Sequence, residues 1–293
     1  MIVIEICSGL GNQMFRYAFA RAQALENNEK LYFSKRIFKT EDREYSLDKL
    51  NIKKPNGIAP NWMVYFYILV FTFLRRINNY SLYNEKNCVD LYKKTGFYKT
   101  ALRKYIEIPQ TKHSLKYFNA NFQSYLYFKK YENVIKEELK VIEKASSQNL
   151  IILEKIRNCN SICLHVRRGD YLDDKNKNIF DVCNFSYYSE AIKYIQKKID
   201  DPVFFVFSED IEWVKRQNFN GNLEYVDLNN PDYEELRLMY SCKHFIISNS
   251  TFSWWAQFLC DNPDKIVIAP KHWINDDGNE CDLYMENWIL ISN

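Results

Sequence analysis

Apolar positions follow two rhythms along this chain. Ile2 to Cys7 is a nearly continuous apolar run and predicts a strand from the start, whereas Phe15, Ala18, Phe19, Ala22 and Leu25 recur at helical spacing across Met14–Leu25. Between them, Ser8-Gly9-Leu10-Gly11-Asn12-Gln13 reads as a tight polar loop, so the chain is expected to open as strand, glycine loop and helix. Residues 31–150 carry a weaker pattern. Tyr, Phe and Lys recur there, Pro55, Asn56, Gly57 and Pro60 mark a loop, and Phe118 to Lys144 is expected to be largely helical.

After Leu150 the pattern becomes regular. Strands are expected at Ile162–Val166, Val203–Phe207, Leu223–Val226, Phe245–Ile247 and Ile266–Ala269. They alternate with helices at Tyr187–Ile199, Ile211–Gln217, Tyr233–Ser241 and Phe252–Cys260. Strands and helices of these lengths in alternation make a parallel, doubly wound sheet. The fold class is therefore α/β, with a boundary expected near Leu150–Asn160 that divides the chain into residues 1–155 and 156–293. The first half is expected to begin a second Rossmann-like unit of its own at Ile2.

Candidate chemistry concentrates at the carboxyl ends of the predicted strands. In Ser161–Tyr171, SICLHVRRGDY, the buried run ends abruptly in Arg167 and Arg168, followed by Gly169 and Asp170. In an open α/β sheet, ligands bind outside the carboxyl ends of the strands, and guanidinium offers a fixed charge and a planar fork of donors suited to phosphate. The competing explanation is an Arg–Asp salt bridge that holds a turn. Val206-Phe207 runs into Ser208-Glu209-Asp210, Val226 into Asp227, and Ile247 into Ser248-Asn249-Ser250-Thr251. Ser250 or Thr251 should cap the next helix, and a helix start rich in hydroxyls attracts phosphate; the alternative, ordinary capping, explains one hydroxyl well and the four hydroxyl residues among Ser248–Ser253 less well. Arginines at one strand end and this helix start at another would close on a diphosphate from two sides, with Asp227 or Asp210 accepting from guanine.

Composition removes several alternatives. Forty Lys+Arg against 37 Asp+Glu in 293 residues is too balanced to indicate nucleic acid. The eight cysteines form no CxxC pair and the four histidines no ligand spacing, and there is no Asp-x-Asp, so no metal site is indicated. The dinucleotide fingerprint fails because its third glycine would fall at Met14, which weighs against a nicotinamide-dependent oxidoreductase. The start MIVIEIC has no basic segment or cleavage site, so a cytoplasmic location is expected. Trp62–Leu74 is apolar but shorter than the roughly 20 residues a spanning helix needs. It is expected to be a buried core helix, with contact at the inner face of the plasma membrane as the alternative.

Three segments together carry a resemblance: SGLGNQMFRYAFARA at the amino terminus, HVRRGDY in the middle and FIISNSTFSWWAQFL near the end. In this order and spacing they resemble the bacterial α-1,2-fucosyltransferases of glycosyltransferase family 11, over nearly the whole chain. The resemblance implies a GT-B-like architecture, two Rossmann-like domains facing across a cleft, the first on the acceptor side and the second binding the nucleotide sugar. It implies GDP-β-L-fucose as donor and metal-independent, inverting transfer to the 2-hydroxyl of a galactoside. The acceptor would be a galactose-containing oligosaccharide or a lipid-linked glycan. The arginine motif maps onto His165, Arg167, Arg168 and Asp170 as donor-site residues, the Gly-Asn-Gln motif onto Gly11, Asn12 and Gln13 facing the cleft, and the third onto Asn249 to Trp255. Many relatives have glycine where this chain has Ser8. Arg167 and Asp170 are the catalytic candidates. Ser208, Asp227, Asn249, Ser250 and Thr251 join the donor site, and Glu209, Asp210, Asp173 and Asp170 are candidates for the base. A fucosyltransferase of different linkage, and a non-catalytic glycan-binding or membrane-associated assembly protein, are the alternative readings.

Overall fold

A computed structural model describes residues 1–39, 43–169, 177–180, 182–275 and 281–292. The chain divides into two compact units, Met1–Leu139 with Asn279–Leu283, and Lys140–Gly278 with Tyr284–Asn293. The boundary expected at 155/156 is thus displaced toward the amino terminus. The helix Ser147–Arg157 belongs to the second unit because its buried Ile152, Leu153 and Ile156 face the sheet of that unit.

The first unit contains β1 (Ile2–Glu5), α1 (Leu10–Asn27), β2 (Leu31–Ser34), α2 (Asn61–Ile77), α3 (Glu85–Thr95), β3 (Phe97–Tyr98), β4 (Lys116–Phe118) and α4 (Glu132–Glu138). Its sheet is parallel, in the order β2-β1-β4-β3. All four residues of β1 are buried, as expected for a central parallel strand. One expectation fails here. Phe118–Lys144 is not one helix: Phe118 ends β4, short 3₁₀ turns follow at Tyr125–Tyr127 and Lys129–Tyr131, and only α4 is α-helical. The aromatic residues there pack as rings, with Phe19 and Phe122 stacked at 3.6 Å, so side-chain packing overrides helical spacing.

The second unit contains α5 (Ser147–Arg157), β5 (Asn160–Val166), α6 (Lys177–Phe180), α7 (Phe185–Gln196), β6 (Pro202–Ser208), α8 (Ile211–Arg216), β7 (Asn222–Tyr225), α9 (Asp232–Tyr240), β8 (His244–Ile246), α10 (Thr251–Leu259), β9 (Val267–Pro270) and β10 (Ile289–Ile291). All its strands are parallel, in the order β10-β9-β8-β5-β6-β7. From β5 the chain steps outward through β6 and β7, then returns to place β8 on the other side of β5. The strand order therefore reverses between β5 and β8, which is where an open α/β sheet forms its ligand crevice. Residues Ser253–Leu259 of α10 are all buried, and Trp254, Trp255 and Phe258 pack ring on ring.

α7 is tied to this end of the sheet by a buried phenol. The Tyr187 hydroxyl donates to the carbonyl of Ile247 at 2.5 Å and lies 3.3 Å from that of Ile268, bridging the exits of β8 and β9. Tyr187→Phe leaves two carbonyls without this donor in a fully buried position, so a loss of about 1–2 kcal/mol is expected. Thermal or urea unfolding checks it, and an unchanged midpoint would contradict the assignment.

Candidate functional site

Arg167 is the first residue beyond β5, where the strand order reverses. Parallel pairing puts Val166 beside Ser208, so the arginine leaves the sheet next to Glu209. The Arg167 guanidinium forms an ion pair with the Glu209 carboxylate, and both side chains remain partly accessible. Arg168 turns another way. Its guanidinium stacks 3.7 Å from the Trp213 ring centre and lies 3.4 Å from Asp210 Oδ2, which fixes it on α8. Asp210 also caps α8, accepting from the Trp213 amide at 3.0 Å. Gly169 has φ +34°, a backbone state that an L-residue adopts only under strain, so the turn after the arginines depends on glycine.

His165, one step back in the strand, is buried. Its Nδ1 shares a 2.9 Å hydrogen bond with Ser248 Oγ and its ring packs near Phe252. Burial, with Arg167 nearby, lowers its pKa to about 3, so the ring is neutral at physiological pH. Its place in the motif is explained by joining the end of β5 to the segment after β8.

That segment has more internal work than its hydroxyl content suggests. Asn249 is buried, and its side-chain amide donates to the carbonyls of Phe180 and Trp273 at 2.9 and 3.0 Å. Ser250 is the residue that caps α10, accepting from the Phe252 amide, while Ser253 Oγ donates back toward the carbonyls of Ser248 and Ser250. Thr251, partly exposed, stands at the first helical position. At the end of β6, Ser208 Oγ accepts from the Asp210 amide at 3.1 Å. Asp227 lies exposed past the end of β7, two strands from β5.

In the first unit, the expected glycine loop is helical from Leu10 onward, because the Asn12 and Gln13 amides already bond to the Gly9 carbonyl. Gly11 and Gln13 are buried. Gln13 donates to the carbonyls of Ser8 and Glu44 and accepts from the Ser46 amide, pinning residues 44–46 to α1. Asn12 is the partly accessible member, accepting from Gln123 at 2.7 Å. Ser8 holds φ +66°, in the left-handed region, which gives a physical reason for glycine at this position in relatives.

Glu235 is a candidate that sequence reading missed. It lies in the first turn of α9, partly buried, and its carboxyl is pushed up to about 7 by burial, with Arg167 opposing and Asp232 reinforcing the shift. A carboxyl with a perturbed pKa within electrostatic reach of a strand-end arginine marks a candidate site. The only hint in the sequence was Pro231-Asp232-Tyr233-Glu234-Glu235, which reads equally well as an acidic first turn. The 440 Å³ cavity beside Leu150, Leu153 and Tyr240 lies at the opposite, carboxyl end of α9, away from these groups. Among the described residues no three His, Cys, Asp or Glu side chains gather as metal ligands would.

The family model for glycosyl transferase family 11 matches residues 1–292. The chain belongs to glycosyltransferase family 11. An α-1,2-colitosyltransferase of Escherichia coli is 30% identical over 305 residues, covering 99% of both chains. The O-antigen biosynthesis glycosyltransferase WbnK of Escherichia coli is 37% identical over 150 residues, 49% of each chain. Among solved structures, fucosyltransferase NodZ from Bradyrhizobium aligns with a TM-score of 0.55 at 13% identity, covering 91% of this chain and 94% of that one. At that identity the likeness concerns the fold, α/β with parallel sheets of the GT-B-like kind.

Family membership makes the chain a glycosyltransferase. Asp170 and Asp173, expected as a catalytic residue and a base candidate, lie outside the described residues.

Because the raised folded-state pKa of Glu235 favours its protonated form, its contribution to stability is full below the ordinary glutamate range and is lost as pH rises through about 7. Glu235→Gln removes this dependence. Its melting temperature relative to wild type is therefore expected to rise between pH 5 and pH 8; a constant difference would contradict the shift.

Proposed function

We propose that this family 11 enzyme transfers L-fucose from GDP-β-L-fucose, with inversion and without a metal ion, to the 2-hydroxyl of a terminal galactoside in a bacterial surface glycan. The observation that carries this reading is the position of Arg167, a partly accessible guanidinium at the switch point of a parallel sheet. The second unit would hold the donor and the first would supply acceptor contacts.

In this mechanism the acceptor oxygen attacks C1 of the sugar as the bond from C1 to the β-phosphate oxygen breaks, and the hydroxyl proton passes to a base. The transition state resembles an oxocarbenium ion, so charge develops on the departing diphosphate. Arg167 would exchange its Glu209 partner for the β-phosphate and stabilise that charge as bond breaking advances. The displaced Glu209 carboxylate is then available to take the proton. Asp210 is less suited to that role, because its oxygens already cap α8 and meet Arg168. The α10 start, with Thr251 at the first helical position, would face the diphosphate from the β8 side. Arg168, stacked on Trp213, would act by holding the loop.

A second reading is favoured by the full-length match to a colitosyltransferase. Colitose is fucose lacking its 3-hydroxyl, so the same catalytic machinery serves either donor, and only a group near that hydroxyl decides between them. GDP-fucose and GDP-colitose should be compared on a panel of galactosides, with linkage analysis of the product. An α-1,2-fucosyl product formed in EDTA is expected; a strict requirement for a divalent ion, or no turnover with either donor, would contradict the proposal.

Arg167→Ala is expected to lower kcat by roughly 10²–10³-fold, by comparison with removal of one donor to a developing oxyanion, while the protein stays folded by circular dichroism. Near-normal kcat in the folded variant would remove Arg167 from the mechanism.

A further inference from the structure

The expectation that Trp62–Leu74 forms a buried core helix is not met. Within α2 only Val64 and Phe71 are buried. Trp62, Tyr65, Phe66, Leu69, Phe73 and Ile77 are 56 to 74% exposed and, at 100° per residue, fall within one arc of about a third of the helix circumference. Taking about 200 Å² for each large side chain, this stripe presents on the order of 700 Å² of apolar surface. The largest patch on a typical monomeric protein is roughly 300–600 Å². α2 has 17 residues, and no helix among the described residues is long and apolar enough to cross a membrane.

The charged residues of α2 itself have one sign. No Asp or Glu occurs from Ile58 to Asn84, while Arg75 and Arg76 close the helix. On the flank of α2, a cavity of about 130 Å³ is lined by Arg36, Thr72, Arg75, Lys99 and Asn119 among others. Burial and the neighbouring Arg75, Arg36 and Arg16 lower the pKa of Lys99, a sign of crowded positive charge. The Glu5 carboxylate, paired with Arg36, is also engaged by Ser34 and Tyr117. Arg36 also lies over the Tyr65 ring, at 5.8 Å, joining the cationic flank to the apolar stripe.

We propose that α2 is a membrane-docking helix that lies in the interface of an anionic phospholipid bilayer. Its apolar stripe inserts among the acyl chains, and Arg75, Arg76 and the Arg36–Lys99 cavity engage lipid phosphates. A long aromatic-rich face bordered by cations is the pattern of interfacial helices, and Trp and Tyr favour the headgroup level. Charge complementarity selects the bilayer over a second copy of the chain: self-association through this stripe would bring together two helices that carry arginines and no carboxylate. The inference rests on the first unit alone and is independent of the donor sugar. Docking of this kind would bring the enzyme to lipid-linked acceptors.

The test is flotation of the full chain with vesicles of phosphatidylcholine alone or mixed with phosphatidylglycerol. Binding to the mixed vesicles is expected to be at least tenfold stronger and to weaken with salt. The combined variant Trp62→Ser, Phe66→Ser, Leu69→Ser, Phe73→Ser should lose at least tenfold in binding while its turnover on a soluble galactoside is unchanged. Arg75→Gln with Lys99→Gln should remove the preference for the anionic lipid. Absence of flotation, or equal binding by the serine variant, overturns the proposal. So does a wild-type dimer that becomes monomeric in the serine variant without vesicle binding, since the stripe is then an interface between copies.

Discussion

The second unit is organised around a single electrostatic constraint: a permanent positive charge held where the strand order of a parallel sheet reverses. Strand β5 is buried and ends at Val166, so Arg167 leaves the sheet with its backbone fixed by neighbours on both sides. Partial burial makes such a guanidinium costly unless an anion partners it. Glu209 fills that role in this structure. A diphosphate carries more charge and more acceptor oxygens, and exchange of one anion for the other offers a simple way to link donor binding with release of a carboxylate beside the reacting centre.

The surrounding residues make sense as support for that charge. His165 and Ser248 join the ends of β5 and β8, Asn249 ties its segment to the carbonyls of Phe180 and Trp273, and Tyr187 bridges β8 and β9 from α7. Each is buried, so its hydrogen bonds act in a medium of low polarity where geometry is held tightly. Arg168 stacked on Trp213 braces the same loop from outside. Much of what looks in the sequence like a ligand-binding cluster is thus a frame; Arg167, Thr251 and Glu209 stay partly open to solvent, as do Arg168 and Asp210.

The sequence revealed the second unit well because its parallel strands are short apolar runs separated by amphipathic helices. The strand ends at Val166, Phe207 and Ile247 could be read directly, and each lies within a residue or so of its observed position. The first unit was harder to read for identifiable reasons. Gly11, Asn12 and Gln13 look like a loop, yet the Gly9 carbonyl starts α1 before them. Phe118–Lys144 has helical spacing, but ring packing around Phe19 and Phe122 breaks it into turns. The apolar content of α2 suggested a core helix, and sequence alone does not reveal that one face of it is left largely exposed. Glu235 was hidden because its shift arises from burial and from Arg167, which is distant in sequence.

The proposed recognition of the β-phosphate by Arg167 can be read from calorimetric titrations with GDP and with GMP. Wild-type protein is expected to bind GDP at least tenfold more tightly than GMP, with most of that difference lost in Arg167→Ala. A GDP preference that survives the substitution intact would place the β-phosphate elsewhere and contradict the account.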